Sequence, residues 1–485
     1  AVTAKMHPMQ IDSYRKPAGV CLGIASLALA VFFFALPARP QDAVNPFLEK
    51  PYLQLGDAPG LSNPESLLVV WQSSEDSSGW KVEVKSGVEW KSAETPVAHR
   101  VAVQGVDPHI VWTARLSGLD PGAKFDYRVL HAGNPVFTAN GEARKSASES
   151  YRFVAFGDCA AGTPAEKAIA YQAYKARPDF LFIAGDIVYT RGRIPEYRAK
   201  FFPVYNADKA SPETGAPLTR SILFMAAPGN HDLASRDIGK LPDSLAYFYY
   251  WFQPLNGPPA PVFATLVGDG HDQNAFKAAA SDRFPRMANF SFNYGNAHWT
   301  ILDSNPYADW SKPELKKWVA NDLASARNAT WRFVGFHHPG FNSSKSHFHD
   351  QQMRVLAPVF EKGHVDVVFA GHVHNYQRSH PLRFQPHKFD FSVSRDVDGK
   401  FTIDRKFDGV SHTKPAGVIY LVTGGGGANL YNPEQQDNPG SWQPFTAKFV
   451  SKVHSLTETD VDGRTLKFRQ ISDRGDVVDS FTVTK

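Results

Sequence analysis

Cysteine is nearly absent: the 485-residue chain contains two. Cys21 falls in an apolar N-terminal run, so Cys159 is alone in the body of the protein and no internal disulfide can form there. A disulfide-stapled scaffold is thereby excluded, and the fold must rest on its core and on any bound metal. An excess of one charge is missing as well, with 52 Lys and Arg against 48 Asp and Glu, a net of +4. There is no concentrated Lys/Arg run and no aromatic-basic ladder, which removes the usual footprint of nucleic-acid binding. What is plentiful is core material, 42% hydrophobic and 13% aromatic residues, enough for two or three domains.

The N-terminus differs in kind. Lys5, Arg15 and Lys16 precede an uncharged stretch from Ala18 to Leu36, and small residues follow near Ala38. This is the layout of a secretory signal over residues 1–40. At roughly 20 residues the stretch also reaches the length that spans a bilayer, so an uncleaved anchor is the alternative, with membrane association only in that case. Either reading puts the body outside the cytoplasm. The lack of disulfides points to a bacterial protein, periplasmic or secreted.

From about residue 45 to 145 short alternating runs recur with turn residues between them. Examples are Ser66–Gln72, Trp80–Lys85, Ile110–Leu116 and Phe125–Leu130. Their spacing predicts a β-sandwich. Trp71, Trp80, Trp90 and Trp112 could form a carbohydrate-stacking surface, but core and domain-interface positions are the simpler reading. No titratable cluster occurs here, so catalysis is placed elsewhere. The polar stretch Gly141–Ser150 reads as a linker.

After it, apolar strands alternate with helices, which predicts an α/β (α+β) domain over 151–485. The strand Tyr151–Phe156 ends in Gly157-Asp158, and Asp179–Ala184 ends in Gly185-Asp186-Ile-Val-Tyr189. Ser221–Ala227 ends in Pro228-Gly-Asn230-His231-Asp232, and Trp331–Phe336 in His337-His-Pro339. The strand before Gly371 leads into His372-Val-His374. Thr163-Pro-Ala-Glu166 predicts a capped helix to about Lys175, with further helices from Pro313 to about Ala326 and near Gln351–Lys362. Each ending has a plain structural explanation, as a helix cap, a turn residue or a buried histidine. Five in succession, all at the carboxyl ends of strands where α/β sheets bind ligands, outweigh those explanations. The glycine run Gly424–Gly427 is not a phosphate-binding P-loop, because no Lys-Ser/Thr and no helix start follow it. It reads as backbone crowding near the site.

This order of blocks resembles the calcineurin-like metallophosphoesterases, and most closely the purple acid phosphatases. The blocks are Gly157-Asp158, Gly185-Asp186-x-x-Tyr189, Gly229-Asn230-His231-Asp232, His337-x-Pro339 and Gly371-His372-x-His374. Ala160 stands where many metallophosphoesterases have a ligating histidine, and Tyr189 offsets that loss as purple acid phosphatases do. Leu116–Val129, with its Pro-Gly turn, resembles the E–F corner of fibronectin type III domains, a module some members carry at the N-terminus. The implied fold is a mainly β N-terminal sandwich followed by a metallophosphoesterase domain of two β-sheets flanked by helices.

By the same resemblance Asp158, Tyr189 and His374 hold a first metal, Asn230, His337 and His372 a second, and Asp186 bridges them. The first set is hard and anionic and suits Fe(III); the second suits a divalent ion such as Zn, Fe or Mn. A phenolate on ferric iron gives the family its colour. The implied activity is an exported acid phosphatase that hydrolyses small-molecule phosphomonoesters through attack of a metal-bound hydroxide; monomer and homodimer both stay open. His231 takes the place of the histidine that binds the substrate phosphate. His347 is preferred over His349 as the outer histidine that protonates the leaving group. His338 is read as a neighbour rather than a ligand, and Cys159 as a buried inert thiol. The long inserts 233–297 and 383–412 are expected to wall the cleft. Two other functions fit the same residues: a phosphodiesterase or nucleotide hydrolase on the same metals, and a binding protein on the same scaffold without catalysis.

Overall fold

The computed structural model describes residues 45–485 apart from 234, 260, 261 and 264, so the N-terminal stretch Ala18–Leu36 lies outside the described residues. Among those described, no helix is long and apolar enough to cross a membrane.

The first eight strands are β1 (Glu49–Gln54), β2 (Glu65–Ser74), β3 (Trp80–Ser86), β4 (Glu89–Ser92), β5 (Val97–Val101), β6 (His109–Leu119), β7 (Lys124–His131) and β8 (Asn134–Glu142). They form two four-stranded sheets, β1–β2–β6–β5 and β4–β3–β7–β8. That order follows the two-sheet scheme of immunoglobulin-type sandwiches. Alternation makes the layer: Phe125, Tyr127 and Val129 point inward on β7 while Lys124 and Asp126 face solvent. Trp71 and Trp80 are buried, Trp112 stacks on Trp71 at 6.2 Å, and Arg128 lies 4.4 Å over Trp90. The tryptophans are therefore core and flank residues.

The expected linker is not a loose tether. Arg144 and Glu65 form a fully buried ion pair of 2.7 Å. Arg144 also donates to Gly60 O at 2.7 Å and to Asn293 O at 3.1 Å, tying a sandwich loop to the next sheet. The Tyr127 hydroxyl donates to Arg220 O at 2.9 Å, a second stitch.

The remaining strands are β9 (Tyr151–Phe156), β10 (Phe180–Ala184), β11 (Asn206–Ser211), β12 (Gly215–Pro217), β13 (Leu223–Ala227), β14 (Phe290–Tyr294), β15 (Ala297–Ile301), β16 (Trp331–Gly335), β17 (Val367–Ala370), β18 (Tyr376–Ser379), β19 (Leu382–Pro386), β20 (Gly399–Ile403), β21 (Ile419–Thr423), β22 (Thr446–Val450), β23 (Ser455–Asp462), β24 (Thr465–Ser472) and β25 (Val477–Thr484). One sheet has the order β13–β10–β9–β23–β24–β25, the other β14–β15–β16–β17–β21–β18–β22. β9, β10 and β13 run parallel, as do β15, β16, β17 and β21. Buried on both faces, these strands read as continuous apolar runs. Between the sheets sit Phe153, Phe182, Trp299, Phe333 and Phe369, with Phe153 and Trp299 edge-to-face at 5.1 Å.

Helix Pro164–Ala176 starts as its cap residues dictate: Thr163 Oγ1 accepts from Glu166 N at 3.1 Å, and Glu166 accepts from Gly162 N at 2.8 Å. Helix Pro313–Ser325 also forms where Pro313 places it. Two local expectations change. The stretch near Gln351–Lys362 divides into a 3₁₀ turn, Gln352–Leu356, and a short helix, Ala357–Lys362, with Pro358 in its first turn. The C-terminal strands divide between the two sheets, β22 joining one and β23–β25 extending the other. The aromatic run Tyr247–Phe252 does not wall a cleft. It is buried and bonded to the sandwich: Tyr52 OH donates to Tyr250 O at 2.7 Å, and the Tyr250 hydroxyl lies 3.1 Å from His109 Nε2.

Candidate metal centre

The parallel strands of both sheets carry the chemistry-bearing residues just past their carboxyl ends. Asp158 follows β9, Asp186 β10, Asn230 β13, His337 β16, and His372 with His374 β17. Asp158, Asp186 and His372 adopt φ of 59°, 49° and 67°, the sparsely populated left-handed region for side-chain-bearing residues. The turns are crowded. A Cβ on Gly371 would lie 2.5 Å from Ala184 O and 2.7 Å from Asp158 Oδ2, and one on Gly424 would lie 2.7 Å from the same carboxylate oxygen. Only glycine fits at either place, which gives the Gly424–Gly427 run its role.

The seven expected donors converge in two groups joined by carboxylates. In the first, the Tyr189 hydroxyl lies 3.1 Å from Asp158 Oδ1 and 3.0 Å from His374 Nε2. In the second, His337 Nε2 lies 3.0 Å from Asn230 Oδ1, 3.2 Å from His372 Nδ1 and 3.3 Å from Asp186 Oδ2. Asp158 Oδ1 sits 4.0 Å from His337 Nε2, closing the gap between the groups. The histidines are aimed by their outer nitrogens: His337 Nδ1 meets Ala184 O at 2.9 Å and His374 Nδ1 meets Asn429 O at 2.6 Å. A carbonyl can only accept, so each Nδ1 carries the proton and each Nε2 offers a lone pair inward.

Electrostatics follow from burial. Burial alone would raise Asp186, but His337, His231 and His372 hold its carboxyl well below the usual range. Burial would lower His337, yet Asp186 and Asp158 hold it up to about 9. For His372 burial wins, bringing it down to about 4. Tyr189 is driven well above its ordinary value by burial and by Asp158 and Asp186. Two carboxylates and a phenol packed this closely, with three imidazoles turned inward, form a donor set that suits cations at its centre. Asp186, His337 and His372 each place a ligating atom within 4.8 Å of the others.

Asp232 stands behind this group. Its carboxylate, raised to about 7 by burial and Asp186, accepts from Ile187 N at 3.1 Å and Gly229 N at 2.8 Å, fixing both turns. His338 packs 4.2 Å from the His372 ring and pairs with Ser304 Oγ at 3.0 Å, a neighbour as expected. Cys159 is buried, and its thiol donates to Ile187 O at 3.3 Å.

At the mouth, His231 Nδ1 meets Thr190 O at 2.7 Å, which leaves Nε2 free, 3.8 Å from Asp186 Oδ2. The His347 ring is 4.0 Å from that of His372, whereas His349 is 78% exposed and paired with Asp396 at 2.8 Å. Two residues escaped the reading of the sequence. Asp350 touches both His347 and His372, and Tyr431 stacks on His374 at 4.1 Å. Asp350, three residues after His347, was a carboxylate within reach; Tyr431 had no signal, being in an irregular loop. Of the two inserts, 383–412 does reach the mouth, through Arg395 and Asp396.

Comparison with known proteins agrees with this geometry. Residues 151–376 match the calcineurin-like phosphoesterase family. An uncharacterised Mycobacterium tuberculosis protein is 26% identical over 347 residues, 65% of this chain and 58% of its own length. The Arabidopsis thaliana protein named "Probable inactive purple acid phosphatase 27" is 25% identical over 409 residues, 78% of this chain and 58% of that one. The chain thus spans a little over half the length of these curated relatives. In fold it is similar to a purple acid phosphatase from yellow lupin (Lupinus luteus) seeds, with a TM-score of 0.60 at 20% identity over 91% of this chain and 75% of that one. PhoD gives a TM-score of 0.57 at 14% identity, covering 92% of each chain. The chain carries a calcineurin-like phosphoesterase domain, preceded by a β-rich region, and has purple acid phosphatases among its homologues and structural neighbours.

Proposed function

We propose that this chain is an exported binuclear-metal phosphomonoesterase of the acid phosphatase type. The observation that carries the reading is the convergence of Asp158, Asp186, Tyr189, Asn230, His337, His372 and His374. Asp158, Tyr189 and His374 would hold Fe(III), and Asn230, His337 and His372 a divalent ion such as Zn, Fe or Mn, with Asp186 shared. Such a pair supplies Lewis acidity toward the phosphoryl group and a nucleophile from water near neutral pH or below.

The chain's own groups do the rest. His231, its Nδ1–H held by Thr190 O, turns Nε2 toward the substrate phosphate and donates to it as the imidazolium. His347, beside His372, gives a proton to the leaving oxygen. In this reading residues 45–145 are a fibronectin type III-like sandwich without catalytic groups, residues 151–485 the catalytic domain, and residues 1–40 the export signal.

The complete donor set argues against a decayed scaffold, although some relatives are named inactive. Turnover of nitrophenyl phosphate against bis(nitrophenyl) phosphate tests the assignment. Preference for the monoester is expected. Preference for the diester would replace it with a phosphodiesterase, and no turnover of either by metal-loaded protein would leave a binding scaffold.

A further inference from the structure

The mouth of the site holds a carboxylate that the metal-donor set does not need. Asp350 Oδ2 lies 3.2 Å from His372 Nε2 and 3.2 Å from His347 Nδ1. Its other oxygen, Oδ1, is 3.2 Å from Arg395 Nη1, supplied by the 383–412 insert. One oxygen thus faces two imidazoles while the guanidinium holds the carboxylate in place. The insert is itself anchored beside it: Val397 N donates to Gln351 Oε1 at 3.1 Å, and Arg354 donates to Val397 O at 3.1 Å. His347 has φ of 59°, so its backbone is held in a strained setting that aims its ring at this carboxylate.

We infer that Asp350 is a positioning residue that couples the inner histidine His372 to the outer histidine His347, with Arg395 as its clamp. The inference rests on the phosphatase reading. A carboxylate oxygen can accept two hydrogen bonds, one from His372 Nε2–H and one from His347 Nδ1–H. The first leaves His372 Nδ1 as a lone pair facing His337 Nε2 at 3.2 Å, the orientation a ligand to the divalent ion requires. The second fixes the His347 tautomer and points its Nε2 at the leaving group. When the P–O bond breaks, its electron pair stays on the leaving oxygen, which takes the Nε2 proton. Water contributes the oxygen of the new P–O bond, and one of its protons restores the imidazolium. Asp350 remains ionised throughout. It touches no reacting atom, so its effect runs only through the two rings it orients.

The two arms of this coupling have separate readouts. Asp350→Asn should lose the divalent ion about 10- to 100-fold more readily on dialysis against chelator, while the visible band of the ferric site is unchanged. In the metal-saturated variant, kcat for an alkyl phosphate, whose leaving oxygen needs a proton, should fall roughly 10- to 100-fold. For nitrophenyl phosphate, whose leaving group needs none, it should fall less than about threefold. Asp350→Glu should recover part of both losses. In His347→Gln protein, adding Asp350→Asn should bring little further loss in kcat. Equal losses on both substrates, with divalent retention unchanged, would overturn the coupling. If His347→Gln itself shows no dependence on the leaving group, the phosphatase reading of His347 fails rather than the role of Asp350 at His372, which the dialysis measurement still decides.

Discussion

Tyr189 and His374 meet across 185 residues of sequence, the phenol oxygen 3.0 Å from His374 Nε2. Burial and two carboxylates push this phenol well above its ordinary value, so it becomes a phenolate only if a strongly charged cation offsets them. Tyr189→Phe should therefore abolish the phenolate charge-transfer band of the iron-loaded protein while its far-UV spectrum is retained. A variant that keeps its colour would remove Tyr189 from the ligand set.

Asn230 and His337 serve the other half of the centre, 3.0 Å apart. His337→Ala should lower divalent-ion content to well under one per chain and reduce kcat by about 10³-fold or more, with the visible band kept. Measured metal content that stays at two per chain would place the divalent ion elsewhere.

The legible part of this site was the part set by strand ends. Gly-Asp, Gly-Asn-His and Gly-His-x-His each follow an apolar run, and the run fixes where the side chain emerges. Asp350 and Tyr431 lie in irregular segments, where no periodicity says which way a residue faces. The pairing of β23 with β9 was hidden for a related reason, since it joins residues some 300 positions apart. Likewise the run Tyr247–Phe252 looks the same in sequence whether it lines a cleft or fills an interface.

That interface should make stability depend on pH. His109 is buried where the sandwich meets the Tyr247–Phe252 run, and burial together with Arg198 lowers it to about 4. A histidine depressed in the fold contributes its stability fully above its unfolded value of about 6.5 and loses it as pH falls through about 4. The contribution at stake is on the order of 3 kcal/mol. Urea midpoints should drop between pH 6.5 and 4, and His109→Gln should flatten that drop. An unchanged slope in the variant would assign the effect to other groups.

The buried Arg144–Glu65 pair gives a second stability test. Glu65→Ala leaves the guanidinium uncompensated and should cost about 3–5 kcal/mol in denaturant unfolding. Replacing both residues by apolar ones of similar volume should cost much less. Equal losses in the single and double variants would show that the ion pair does not act as a unit.

In the proposed function the seven side chains hold two metal ions that the reaction requires. Metal analysis of purified, active protein, with its visible spectrum, tests this most directly. Two ions per chain, one of them iron with a phenolate band, and activity lost on removal and regained on reconstitution are the predicted results. Phosphatase activity in protein containing no metal would rule out a metal-dependent reaction at these residues.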